Sequence, residues 1–202
     1  EAMVHALEDG DALPSLLEKA KVVAIGPGLG QDDWARALFA RVLACGKPLV
    51  LDADALNLLA RDPRALPDAI LTPHPGEAAR LLECTSADIQ ADRYRCAQAL
   101  AERYHAVVVL KGAGSIVAAP GCTPRLIAAG NPGMAVGGMG DLLTGIIASL
   151  RAQGLDAFDA AACGALLHAL AGDVAALDGA RGLLPTDLLV PLRRLANPEP
   201  LQ

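Results

Sequence analysis

Four short apolar runs, each stopped by a turn and then followed by a helical pattern or a hairpin, constrain this fold more than any other feature. Lys21–Ile25 ends in Gly26-Pro27-Gly28-Leu29-Gly30, ahead of a helical stretch from Trp34 to Cys45. Pro48–Leu51 ends at Asp52-Ala53-Asp54, ahead of a helix over Ala55–Ala60. Ile70-Leu71 is stopped by Thr72-Pro73-His74-Pro75-Gly76, ahead of helices over Glu77–Glu83 and Ala87–Tyr104. Val107–Lys111 runs into a glycine turn. Ser115–Ala118 and Arg125–Ala128 then read as an antiparallel pair joined at Pro120-Gly121-Cys122-Thr123-Pro124. Helices are expected over Leu142–Gln153 and Ala157–Leu177. Strands alternating with helices predict an α/β fold: a mostly parallel central sheet with helices on both faces. Ligand loops of such sheets gather at the carboxyl ends of the strands. The four turns are therefore expected to converge.

Composition bounds the function. The 202 residues suit one domain over 1–202. Glu1-Ala2-Met3-Val4-His5 reads as the end of a strand, so the chain is expected to be an N-terminally incomplete piece of something longer. A net charge of −6 with 2% aromatic residues argues against a nucleic-acid binder, which needs a basic stripe and stacking platforms. The five cysteines have no zinc or C-x-x-C spacing, which suits idle thiols in a reducing cytoplasm. The longest uncharged apolar stretch, Ala160–Gly172, falls short of the roughly 20 residues that cross a bilayer. The expectation is a cytoplasmic protein with no membrane partner.

The chemistry concentrates in Gly130–Asp141, where five of twelve residues are glycine and an apolar helical pattern follows at once. A glycine-rich loop opening into a helix offers backbone N–H groups at the positive end of the helix dipole, which is an anion site. Asp141 stands at that mouth. It reads either as an N-cap accepting from the Thr144 N–H or as a base beside a bound phosphate. His74 is pinned between two prolines, which suits ligand contact. Lys111-Gly112-Ala113-Gly114-Ser115 is too short for a Walker A loop, but it can form a nest of N–H groups with a lysine beside it. Asp52, Asp54 and Asn57 are of the residue types that take Mg2+ or a hydroxylated ligand, while Asp54 equally caps a helix from Ala55. His168, on an apolar helix face, reads as a packed core histidine.

Taken in order, Ile25–Gly30, Leu51–Asn57, Thr72–Glu77, Lys111–Ser115 and Gly130–Asp141 resemble the motifs of the ADP/ATP-dependent NAD(P)H-hydrate dehydratases of the ribokinase-like superfamily. The resemblance implies a three-layer αβα ribokinase-like fold and repair of (6S)-hydrated NADH and NADPH. ADP or ATP with Mg2+ would phosphorylate the hydroxyl of the damaged ring, and elimination would release phosphate; with ADP the other product is AMP. It implies Asp141 as catalytic base, and an anion hole of Gly138, Met139 and Gly140. Lys111, Gly112, Ala113, Gly114, Ser115 and Gly140 would take the nucleotide. Gly28, Gly30, His74 and Asp141 would take the hydrate. Asp52, Asn57 and Asn131 are accessory candidates, and no residue is assigned as a metal ligand. The resemblance leaves room for a homo-oligomer and for an epimerase domain fused in the full-length protein. Family members usually carry a small residue, typically Ser, where Met139 stands, so a narrower pocket is expected. The alternatives are a ribokinase-like kinase of a vitamin-precursor alcohol and a non-catalytic nucleotide-binding remnant.

Overall fold

The computed structural model describes residues 3–7 and 12–197. Its six-stranded sheet runs in chain order: β1 (Val23–Ile25), β2 (Leu49–Leu51), β3 (Ile70–Leu71), β4 (Val107–Leu110), β5 (Ser115–Ala118) and β6 (Arg125–Ile127). The first four are parallel, and β5 and β6 return antiparallel. The expected α/β class and mostly parallel sheet are both present.

Chain-order parallel strands dictate where the helices go. Crossovers of one hand place every connecting helix on the same face. α2 (Asp33–Leu43), α3 (Ala53–Arg61), α4 (Pro75–Leu82), α5 (Ser86–Ala91) and α6 (Arg93–Tyr104) share one core with Leu51, Leu71, Val108 and Leu110. The alternate residues Val50, Ile70, Val107 and Val109 point the other way, as the two-residue strand period requires. That face is covered by two helices C-terminal to the sheet, α7 (Met139–Ala152) and α8 (Ala157–Ala175). A short α1 (Leu13–Lys19) and α9 (Leu189–Leu195) complete the described α-helices and have no counterpart in the sequence-based expectation.

α8 is apolar on nearly all sides because the sheet, α7 and α9 surround much of it. Its small residues permit close approach: a Cβ on Gly164 would stand 2.7 Å from Ile147 Cγ1 of α7. Contrary to expectation, the helical span Ala157–Asp178 is long and apolar enough to cross a membrane by length and composition. Asp159 and Asp173 lie within the span and bound the uncharged stretch Ala160–Gly172. Half of its most apolar 18-residue window is buried inside the protein, as befits a core helix.

Other boundaries shift for identifiable reasons. The helix expected over Ala87–Tyr104 is divided at Asp92, whose carboxylate accepts the Arg95 N–H and caps α6. Residues 3–7 form no strand, contrary to the reading of Glu1–His5, of which Glu1 and Ala2 lie outside the described residues. α3 starts at Ala53 rather than Ala55, and α7 at Met139 rather than Leu142.

Candidate active site

The turns after β1, β2, β3 and β4 do converge at one end of the sheet, and α7 begins there. Its N-cap is Gly138, with φ +89°, a left-handed conformation that glycine adopts without a Cβ penalty. Asp141 is therefore the third helical residue and not a cap, which removes one of its two readings. The first intrahelical acceptor in this turn is Gly138 O, taken by the Leu142 N–H at 3.0 Å. The N–H groups of Met139, Gly140 and Asp141 thus have no intrahelical carbonyl and face the helix mouth.

Asp141 is exposed and lines a cleft of about 470 Å³. Gly26, Pro27, Gly28 and Leu29 form the opposite wall, and Thr144 and Gly145 lie beside Asp141. The acidic side chain therefore stands next to a strand-end turn and next to open space. Met139 turns the other way, packing 4% exposed with Ala171, Leu183 and Leu188. The expected narrowing of the pocket by its side chain does not occur, because its position in the turn aims it into the core.

The Gly26–Gly30 loop is held by Asp54. One carboxylate oxygen accepts the Gly30 N–H at 2.9 Å and the other accepts from Gln31 Nε2 at 3.3 Å. Asp54 is thus a loop anchor rather than a cap of α3. Gly26 packs so closely on β2 that a Cβ would stand 1.7 Å from the Asp52 carbonyl oxygen. Gly28 and Gly30 have φ of +66° and +78°.

His74 does more than fill a rigid turn. Its Nδ1 accepts the Gly76 N–H at 2.9 Å, while Glu77 Oε2 accepts the His74 N–H at 2.8 Å. Imidazole and carboxylate together form a capping box for α4. With Nδ1 an acceptor, the neutral tautomer of the half-exposed ring carries its proton on Nε2. That nitrogen lies 3.4 Å from Glu77 Oε1.

Asp52 is buried at the end of β2 and paired with the protein's own groups. Lys111 Nζ donates to Oδ1 at 2.6 Å, and Thr144 Oγ1 donates to Oδ2 at 2.9 Å. Glu77 Oε2 lies 3.8 Å from the same ammonium. The Mg2+ set of Asp52, Asp54 and Asn57 is not assembled, since Asn57 Oδ1 accepts from Arg80 and Asp54 holds the loop. Among the described residues no three His, Cys, Asp or Glu side chains gather into a metal cage. The donor set fits a Mg2+ carried by nucleotide phosphates and their waters, not one held by protein alone. Asn131 anchors its loop: its amide donates to Asp173 Oδ1 at 3.1 Å, and Asp173 Oδ2 accepts the Gly130 N–H at 2.9 Å.

Three side-chain contributions lie outside the sequence-based expectations. Thr144 is a buried hydroxyl in the apolar run Leu142–Ile147, and that break in pattern was the available signal. Asp173 lies on α8 with no motif around it. Arg93 sits behind the Lys111–Ser115 turn, donating to the carbonyls of Ala113 (2.6 Å), Leu110 (3.2 Å) and Lys111 (3.4 Å). A Cβ on Gly112 would stand 2.9 Å from its guanidinium. His168 is buried as expected, and burial pushes its pKa down to about 4.

Comparison with known proteins gives the family of the chain. Residues 1–194 match the family described as NAD(P)H-hydrate dehydratase. A bifunctional NAD(P)H-hydrate repair enzyme of Escherichia coli K12 is 52% identical over 200 residues, covering 98% of this chain and 39% of that protein. The chain thus spans about two fifths of the length of such relatives. A ribokinase-like superfamily protein from Enterococcus faecalis V583 superposes with TM-score 0.85 at 33% identity, covering 95% of this chain and 68% of that one. The ADP/ATP-dependent NAD(P)H-hydrate dehydratase of Bacillus subtilis, co-crystallised with ATP/Mg2+, gives TM-score 0.79 at 32% identity, covering 87% of this chain and 64% of that one. Matched over residues 1–194 and folded as its ribokinase-like neighbours are, this chain belongs to the NAD(P)H-hydrate dehydratase family.

Proposed function

We propose that this chain dehydrates (6S)-hydrated NADH and NADPH at the expense of ADP, releasing AMP and phosphate. The observation that carries the reading is the position of Asp141, in the first turn of α7 and across the cleft from the Gly26–Leu29 loop. The hydrate hydroxyl gives its proton to the Asp141 carboxylate as its oxygen attacks the β-phosphorus of ADP. AMP leaves with the electron pair of the broken P–O bond. N–H groups of Gly138, Met139 and Gly140 stabilise the charge on the transferring oxygens. The ring nitrogen then expels phosphate from its neighbouring carbon, and loss of a proton from the next carbon restores the ring double bond. Lys111–Ser115 holds the nucleotide, and Gly28, Gly30 and the His74 Nε2 edge hold the hydrate. Mg2+, when bound with the nucleotide, supplies charge neutralisation on the phosphates.

The family membership and the ADP/ATP dependence named for the Bacillus subtilis protein support this reading. Met139, one of the two grounds for a non-catalytic remnant, packs away from the anion site. We place the protein in the cytoplasm, a compartment that suits five free thiols. A fused epimerase domain belongs to the same proposal and leans on the bifunctional name of the Escherichia coli relative.

The test is recovery of reduced-nicotinamide absorbance from hydrated NADH plus ADP. Asp141→Asn is expected to lower turnover by about 10²–10⁴-fold, the usual worth of a positioned base, while AMP still binds. Undiminished turnover in that variant defeats the assignment. Accumulation of a stable phosphorylated alcohol would instead identify the kinase.

A further inference from the structure

Beneath the first turn of α7 lies an ion pair whose acidic half, Asp52, has no task in the scheme above. A Cβ on Gly140 would stand 3.1 Å from Lys111 Nζ and 3.4 Å from Asp52 Oδ2, so the pair sits directly against the anion-hole backbone. An ammonium at a helix N-terminus stands at the positive end of the dipole, where a cation is disfavoured. Asp52, 1% exposed, offsets that cost by taking the ammonium at 2.6 Å. Thr144, one turn into the same helix, donates to its other oxygen and ties α7 to the pair. An anion entering the helix mouth would relieve the same repulsion. The lysine side chain remains 19% exposed, so it is not sealed from such an anion.

We infer that the Lys111 ammonium acts on the transferring phosphoryl group rather than on the adenosine part of the nucleotide. Lys111 is then a catalytic residue. Asp52 is a positioning residue that holds Lys111 at the helix mouth. The inference rests on the dehydratase reading for the identity of the anion.

The experiment compares Asp52→Asn, Lys111→Met and the double variant in the full chain, with thermal melting to check folding. Lys111→Met is expected to lower kcat by about 10²-fold, as loss of one oxyanion-type donor does. Asp52→Asn is expected to lower kcat about tenfold while KM for ADP moves less than about threefold. The discriminating result is the double variant. A positioning role makes it no slower than Lys111→Met alone, because Asp52 then has nothing left to position. A purely structural Asp52 would slow both backgrounds by the same factor, and that result, or wild-type kcat in Asp52→Asn, overturns the inference. If Asp52→Asn does not fold, the double variant leaves no unpaired buried ammonium, and its kcat against Lys111→Met decides alone. Failure of the wild-type chain to consume the hydrate would defeat the dehydratase reading instead. Calorimetric binding of inorganic phosphate then decides the inference: weaker binding in both single variants supports it, and unchanged binding overturns it.

Discussion

Replacing Gly26 with alanine tests how tightly the strand ends must meet. The residue has φ +134°, and its Cβ would lie 1.7 Å from the Asp52 carbonyl oxygen and 3.1 Å from Ala55 Cβ. A comfortable carbon–oxygen contact is about 3.3 Å, so β1 and β2 must part by roughly 1.5 Å at this end. Holding alanine at that φ costs about 1–3 kcal/mol. The separation also threatens two hydrogen bonds, Asp52 N–H to Ile25 O and Ala55 N–H to Asp52 O, both 3.1 Å. At about 1 kcal/mol each, the total loss is about 3–5 kcal/mol. Against a typical domain stability of about 5–15 kcal/mol, that is a large fraction. Urea titration followed by circular dichroism should show a lower midpoint at an unchanged slope. Because Asp52 moves with its carbonyl, kcat should fall in whatever protein remains folded. A loss under about 1 kcal/mol would refute the claim that close apposition at Gly26 sets the site geometry.

Two further outcomes concern Asp54 and His168. Asp54→Ala removes a part-buried charge-assisted bond to the Gly30 N–H, worth about 1.5 kcal/mol, and should raise KM for the hydrate about tenfold with little change in kcat; steady-state kinetics that show only a kcat loss would refute its role as loop anchor. His168 is neutral in the fold down to about pH 4, whereas the unfolded chain takes up a proton near pH 6.5. Stability therefore falls as the pH drops from 6.5 towards 4, by about 3 kcal/mol over the window, and urea titrations of His168→Phe should lack this slope.

Much of the fold was legible because burial on a sheet is written locally. Val107–Leu110 is a continuous apolar run because both its faces are covered, and the glycine and proline clusters mark where each strand stops. The placement of Asp141 at a helix mouth was legible for a similar reason: glycines that bend a loop into a helix are adjacent in the chain. Where the reading failed, the cause was a distant partner or a small shift of phase. Moving the start of α7 from Leu142 to Met139 turned Asp141 from a cap into a residue of the first turn and sent the Met139 side chain into the core. Asp54 looked like a cap because capping is local, while its actual partner Gly30 is 24 residues away.

From its own residues the chain determined an α/β sheet, four strand-end turns and a glycine-rich helix mouth, since each depends on the periodicity or backbone freedom of neighbouring residues. Only the tertiary structure decided that Asp52 meets Lys111 at a separation of 59 residues and Thr144 at a separation of 92, and that Arg93 braces the turn after β4. Those contacts require strand register and helix phase together, and no local pattern carries both. The physical reason is that burial can be satisfied by many partners of the right polarity, whereas an ion pair at 2.6 Å is made only by the two groups that the packed sheet brings face to face.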